Sequence, residues 1–295
     1  MMRLAVQFYA ASFDTHGGRN TRSALLTYLV EDVAPWLREA ASERVRGELL
    51  VEASRLSFLL ARMYEDASAQ GLAQRYFVIA RQLAAESGDR TAWAVSLRGL
   101  SSQGLALGHR RSALHAAETA AEAGGRAGGG APVAYLGAQL AVAQAACGLR
   151  RQALLSLHRA ERALEAAGDG APAHQPFSSY SSAALAYQHA EALRVLGDSS
   201  AACEALNRSL ALRTPADRRG LALSHAQRAE ILVRSGHVEE ACASWQAFLD
   251  HYAHLRSGLA DTAALRLRQL LTPYRRVPAA AQVLDRIAAD ALGQR

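Results

Sequence analysis

The segment Ala141-Val-Ala-Gln-Ala-Ala-Cys-Gly148-Leu-Arg-Arg-Gln-Ala153-Leu-Leu-Ser-Leu157-His-Arg-Ala160 reads as the end of one helix, a glycine turn and the start of a second. Its pattern recurs. Aligned on Ala153, the equivalent residues are Ala73, Ala113, Ala202 and Ala241, so successive markers lie 40, 40, 49 and 39 residues apart. Twelve residues before each marker stand Ala61, Ser101, Ala141, Ala190 and Ala229, all small. Seven residues after stand Ala80, Ala120, Ala160, Ser209 and Phe248; four after stand Phe77, Ala117, Leu157, Leu206 and Trp245. Small residues let two antiparallel helix backbones approach, and a bulky residue one turn away fills the space behind the contact. Glycine precedes four of the markers by five residues, at Gly108, Gly148, Gly197 and Gly236, where reversal of the chain favours positive φ. The first unit has Ser68 there.

Glycine and proline punctuate the gaps between units at Gly88-Asp89, Gly124 to Pro132, Gly168 to Pro176 and Thr214-Pro215, and helices are predicted to stop there. The 49-residue interval is explained by the segment Gly168 to Tyr180, with Pro172 and Pro176, which reads as a connection or as a flap over a groove. Ahead of the units, Met2 to Phe13 and Thr21 to Leu37 read as a helical hairpin joined by Asp14 to Gly18, with Asn20 as N-cap. Behind them, Ser257 to Leu271 and Ala279 to Leu292 read as helices broken around Pro273 and Pro278. The expected organisation is one all-α solenoid: capping helices over 1–47, five repeats over 48–256 and capping helices over 257–295.

Composition agrees with helix-on-helix packing. Apolar residues make up 50% of the chain and aromatics only 6%, which suits thin layers of alanine-rich helices better than a thick core. The 33 basic residues are all arginine and exceed the 27 acidic ones by 6, an excess that suggests nucleic acid only if clustered on one face. Cys147, Cys203 and Cys242 form no C-x-x-C pair and read as reduced, packed thiols, pointing to the cytoplasm. The N-terminal run does not read as a signal peptide, and the uncharged stretches Ala127 to Leu149 and Gly170 to Ala190 carry proline, so no membrane span is expected.

With its small residue on helix A facing a small residue on helix B, a turn glycine and an aromatic later in helix B, the pattern resembles the tetratricopeptide repeat. The resemblance implies a right-handed superhelical solenoid. The period of about 40 exceeds the family's 34, and the family's apolar helix-A position holds Leu60, Leu100 and Leu140 but then His189 and Arg228. Gly71 to Ala80, Ala24 to Pro35 and Pro273 to Pro278 further resemble the C-terminal sensing region of actinobacterial helix-turn-helix transcriptional regulators, with Met1 falling where that region would begin, after the DNA-binding head. A more distant likeness is to the peptide-pheromone receptors of Gram-positive bacteria, whose repeat grooves hold a short signalling peptide.

In tetratricopeptide arrays helix A lines the concave groove, and the resemblance transfers that role to positions eighteen, fifteen and eleven residues before each marker. The charged, polar and aromatic residues there are Arg55, Phe58, Arg62, Arg98, Ser102, Tyr135, Tyr187, Glu191 and Glu230, with Arg194 and Arg234 one turn beyond the glutamates and able to neutralise them. Guanidinium forks and tyrosine faces suit a peptide; an ordinary solvated face with i to i+4 ion pairs is the plainer reading of the same residues. The turns carry His109-Arg110-Arg111 and Arg150-Arg151 but Asp198 and Glu239-Glu240 later, a basic edge that gives way to an acidic one.

Catalysis has little support. His251 and His254 share a helical face beside Asp250, yet no H-E-x-x-H, nucleophile elbow or phosphate loop accompanies them. The expectation is a non-enzymatic, regulatory binding protein with no cofactor and no metal. Its partner would be a peptide or protein, such as a DNA-binding regulator or a signalling or precursor peptide, with no direct nucleic-acid or membrane binding and a homodimer left open. A small-molecule sensor or carrier using the same groove is the alternative, and an enzyme acting on a bound peptide a third.

Overall fold

The computed structural model of the chain describes residues 1–39, 42–127, 130–167 and 180–293. Every regular element among them is helical. In order they are α1 (Met2–His16), α2 (Arg22–Thr27), a π turn (Tyr28–Val33), α3 (Ala34–Glu39), α4 (Glu43–Asp66), α5 (Gln70–Ser87), α6 (Arg90–Ala106), α7 (Arg110–Ala127), α8 (Gly130–Ala146), α9 (Arg150–Ala167), α10 (Ser182–Val195), α11 (Ser199–Leu212), α12 (Arg218–Arg234), α13 (Val238–Tyr252), α14 (Gly258–Leu271), a 3-10 turn (Thr272–Tyr274) and α15 (Pro278–Gly293).

Helices α4 to α13 form five antiparallel hairpins, and all five turn by one device. The residue five before the marker has positive φ: 63° at Ser68, 82° at Gly108, 78° at Gly148, 84° at Gly197 and 86° at Gly236. The amide after it reaches back to the carbonyl five residues earlier, as in Leu149 N to Gln144 O at 2.9 Å and Asp198 N to Leu193 O at 3.0 Å. This is the Schellman closure of a helix C-terminus, and it starts helix B at the same offset every time. The markers and the small residues twelve before them are buried throughout, the last two hairpins included.

A second small position lies nineteen residues before each marker: Ser54, Ala94, Ala134, Ala183 and Ala222, each 1% exposed or less. There Ser54 Oγ donates to Ala80 O at 2.8 Å, and in the fourth hairpin Ser209 Oγ donates to Ala183 O at 2.7 Å. The same two positions thus exchange the donor. His189 and Arg228 do not disturb the register, because their site is only partly buried and helix-B side chains meet them. His189 Nδ1 lies 3.0 Å from Glu161 Oε1, and Arg228 bonds Asn207 Oδ1 at 2.8 Å and Ser244.

The two layers differ in burial. Helix B shows one fully buried stripe, such as Ala73, Phe77, Ala80 and Ala84 on α5, flanked by half-buried residues where it meets the next helix A and with its outer face in water. Helix A packs on its own helix B and on the helix A of the next hairpin, from α4 on α6 through to α12 on α14.

Three sequence expectations need correction. Gly124 and Gly125 do not stop a helix: α7 runs on to Ala127, and a Cβ on Gly124 would lie 2.1 Å from Leu136 Cδ1, so glycine there admits α8 at close range. Gly130 to Pro132 form the first turn of α8, where proline's missing amide is harmless. Thr21, not Asn20, precedes α2, and α1 continues through His16 to Gly17. Residues 168–179 of the proline-bearing connection lie outside the described residues.

Helix α1 does more than cover the first hairpin: it packs on both α4 and α12, the helix A of the first and of the fifth hairpin. The closure centres on Asp66, the last residue of α4, whose side chain is 0% exposed. Its Oδ2 accepts from Gly18 N at 3.0 Å, and its Oδ1 accepts from Arg219 Nε at 2.8 Å and Ser257 Oγ at 2.9 Å. Around it, Arg19 N donates to Arg256 O at 2.9 Å and Arg256 N to His16 O at 2.7 Å. Glycine is required at this junction, since a Cβ on Gly18 would fall 2.6 Å from Met63 O and one on Gly258 2.7 Å from Asp66 O.

Two stability measurements test these readings. No atom lies within 4 Å of a Cβ added to Gly148, so Gly148→Ala isolates the backbone cost of positive φ, about 1 kcal/mol, while Ser68→Gly gains a similar amount; urea midpoints moving in opposite directions are expected. Asp66→Ala strands the Arg219 guanidinium and is expected to cost about 3 kcal/mol or more. Amide exchange in α1 then accelerates ahead of that in α8.

Candidate functional site

The curved array encloses two connected spaces. An inner chamber of about 230 Å³ lies under α1, between α4, α6, α8, α10 and α12. A wider vestibule of about 1620 Å³ opens towards the turns. Arg62, Ser102, Gln139, Tyr187, Glu191, Arg219 and Leu223 line both and mark the passage between them.

Phe58, Arg98 and Tyr135 line the inner chamber alone, and Arg194, Glu230 and Arg234 the vestibule alone. Arg55 stands apart from both spaces. It is 6% exposed and turned into the helix pair, where Nη1 donates to Glu52 Oε1 at 2.7 Å and Asp89 lies 3.8 Å away. Its position follows from the first hairpin's flank, where Glu52 also receives Arg3.

The chamber wall combines aromatic rings with a buried polar chain. Tyr135 and Tyr180 meet edge to face at 4.9 Å, and Phe58 packs on Phe77 at 5.6 Å in a notch left by Gly99, whose Cβ would lie 2.3 Å from Phe77 Cε1. Tyr180 Oη donates to Gln188 Oε1 at 2.8 Å, Gln188 Nε2 to Gln139 Oε1 at 3.4 Å and Gln139 Nε2 to Ser101 Oγ at 3.2 Å. Burial raises the Tyr180 hydroxyl well above its usual range, and burial followed by the Glu191 charge pushes Tyr187 to about 12, so both stay protonated donors at neutral pH.

Most charges around the chamber are matched. Arg62 Nη1 is 2.5 Å from Glu65 Oε2, Arg213 pairs with Asp217, and Arg219 is held by Asp66 while stacking 4.5 Å over Phe13. Arg98 differs. Its Nε donates to Tyr135 O at 3.1 Å and its guanidinium lies 3.8 Å from the Tyr135 ring centroid, but among the described residues no carboxylate is within 4 Å and its terminal nitrogens make no hydrogen bond. Burial lowers its affinity for the proton, with Tyr135 opposing that effect. Glu191 is the counterpart: half-buried, with no cation within 4 Å among the described residues. Burial raises its pKa, against the pull of Arg194, Arg98 and Arg62. The expected neutralisation of the two glutamates by their neighbours occurs only at Glu230, 3.9 Å from Arg234 and 3.6 Å from Arg266.

Sequence spacing missed Tyr180, Gln139, Gln188, Arg213, Asp217 and Arg219, and with them Ala10, Phe13 and Asp14 of α1. Arg219 sits one turn before the first position counted on helix A, so a longer ruler reaches it. No local signal places α1 across the array.

The histidine cluster is of another kind. His225 and His251 stack at 6.1 Å, and among the described residues no group of three His, Cys, Asp or Glu is placed to hold a metal. Nor is any described helix long and apolar enough to cross a membrane.

No family model matches the chain, and no curated protein matches it. Among solved structures it is similar to a Rap protein crystallised in complex with Competence and Sporulation Factor, at 13% identity and a TM-score of 0.58, over 92% of this chain and 84% of that one. At that identity the likeness establishes the fold: an all-α array of sequential antiparallel helix pairs in the manner of the Rap repeat solenoid.

The pH dependence of stability follows from His225, whose buried Nδ1 has no hydrogen-bond partner among the described residues. Burial first, then the His251 and Arg228 charges, depress it from 6.5 to about 4. Between those values the unfolded chain binds a proton that the folded chain does not, so stability is complete above pH 6.5 and is lost as pH falls towards 4. Urea midpoints recorded across that window are expected to fall less steeply in His225→Gln, with a residual slope from His251 and His189, which are depressed in the same direction.

Proposed function

We propose that this chain is a non-enzymatic regulatory binding protein whose vestibule holds a peptide or an extended segment of a protein partner. The observation that carries the reading is the lining of that space: seven arginines face three glutamates. Arg110, Arg111 and Arg194 have no carboxylate within 4 Å among the described residues, leaving a basic excess for an acidic partner. Ligand pockets for drug-sized molecules span about 300 to 1000 Å³, so a space of 1620 Å³ suits a length of chain better than a metabolite. The architecture shared with a Rap protein solved in complex with Competence and Sporulation Factor supports a binding role by analogy of fold. Arg194, with Arg110 and Arg111 on the second turn, would meet carboxylates through charge-assisted forks, Arg62 and Arg234 being paired with Glu65 and Glu230, while Leu223 and the Tyr187 ring would cover apolar side chains. A DNA-binding regulator presenting an acidic segment, or a signalling or precursor peptide, fits this description.

An array of immobilised peptides graded in Asp and Glu content tests the reading. Acidic peptides are expected to be retained, with affinity falling as salt rises, and the Arg110→Glu/Arg111→Glu double variant to bind at least about tenfold more weakly at unchanged helicity. Retention of no peptide, or equal retention of acidic and basic ones, sinks it.

A further inference from the structure

The inner chamber poses a different question from the vestibule, because two opposite charges line it with no counter-charge within 4 Å among the described residues. Arg98 is 7% exposed, fixed by its Nε bond to the Tyr135 carbonyl and by the ring beneath it, with its terminal nitrogens unspent. Glu191 borders the same space from α10. Arg62, Arg213 and Arg219, the other cations on the wall, are each occupied by a carboxylate. Arg98 is buried and Glu191 half-buried; charges so placed are ordinarily paired, and two complementary ones more than 4 Å apart on the lining of one cavity leave room for a molecule that carries both.

We infer that the inner chamber is a binding site for a small zwitterion of the α-amino-acid class, its carboxylate on the Arg98 guanidinium and its ammonium on Glu191. The size agrees: about 230 Å³ falls below the usual range for drug-sized ligands and fits a single amino acid or a very short peptide. The remaining wall suits such a ligand's side chain. Phe58, Leu59, Ala184 and Leu223 are apolar, and the tyrosine rings offer faces to an aliphatic or aromatic group. Gln139 and Gln188 are already committed to the Tyr180 chain, so discrimination at the charged end falls to Arg98 and Glu191. Burial raises the Glu191 pKa against the pull of Arg194, Arg98 and Arg62, and an incoming ammonium favours its carboxylate form further. The site does not depend on the peptide-holding role of the vestibule.

The test uses the full chain with the protein L-amino acids at millimolar concentration, followed by ligand-observed saturation-transfer NMR and by thermal shift. For the best binder, the N-acetyl derivative removes the ammonium and the carboxamide removes the carboxylate. Each is expected to bind about tenfold more weakly or worse, since a site built around a polar group rejects analogues that lack it. Arg98→Gln should erase the preference for acid over amide and keep the preference for free amine, whereas Glu191→Gln should do the reverse. Arg98→Lys retains the charge and part of the affinity. A crossed pattern of this kind cannot come from misfolding. Dipeptides in a parallel arm separate the two sources of the chemistry: tighter binding by single amino acids assigns a free amino acid, and tighter binding by dipeptides a peptide fragment. Absence of binding by every amino acid and dipeptide overturns the inference, as does equal binding of the zwitterion and its two blocked forms. Neither result bears on acidic peptides held in the vestibule.

Discussion

Everything inside this molecule depends on Asp66 being held at the point where the first helix pair meets the last. A stack of helical hairpins contacts only near neighbours, so its ends have no intrinsic reason to meet. Here they do, through one buried carboxylate that accepts from Gly18 N, Arg219 Nε and Ser257 Oγ, groups brought from three separate parts of the chain. Its partners are separated from it by 48, 153 and 191 residues. A charge buried with three donors is well satisfied, whereas the loss of any single partner would leave the desolvation cost in place. The closure of the array is therefore centred on one residue, with the backbone bonds between Arg19, Arg256 and His16 beside it.

That closure explains why the helix-A surface forms a chamber instead of an open trough. Small residues on both helices of each hairpin bring helix A close to helix B and leave the inner face thinly covered. Alone, this would give a shallow, hydrated groove on which charged side chains point into water. With α1 laid across from α4 to α12, Phe13 lies beneath Arg219, and the innermost part of the groove is roofed on that side. Side chains such as Arg98 and Tyr187 then sit in a medium where burial shifts their protonation and where an unmatched charge matters energetically.

The helix-pair register was legible in the sequence, because it is written in residues only a few turns apart. The five markers, their small partners and the turn glycines all sit where the spacing puts them, and even Ser68 adopts the positive φ that its place in the repeat demands. Helix-A positions counted from the markers therefore led to both spaces. Arg55 escaped because position on a helix does not tell which neighbour a long side chain will choose, and Glu52 and Asp89 are nearer than the groove. Gly124 escaped because glycine serves equally to end a helix and to let another approach, and only the presence of Leu136 distinguishes the two. The ring closure has no local signature at all. Asp66 and Arg219 look like a helix C-terminal acid and a helix N-terminal base, both unfavourably placed for the helix dipole, and only their meeting in space gives them a purpose.

The unmatched pair in the chamber and the clasp at Asp66 oppose one another. Closing the array buries Arg98 and half-buries Glu191 with no counter-charge within 4 Å of either among the described residues, so closure carries a desolvation cost that an open array would escape. The contacts of Asp66, together with the packing of Phe13 and Met63 around it, have to offset that cost for the closed form to persist. A ligand that supplies both missing charges removes the cost in the closed form and offers much less to the open one. Its binding and the closure are then linked, each favouring the other by the same free energy. Arg219 makes the linkage physical, since it lines the chamber and the vestibule while its Nε is held by Asp66. Occupancy of the inner space by such a ligand would then favour the joined ends of the array.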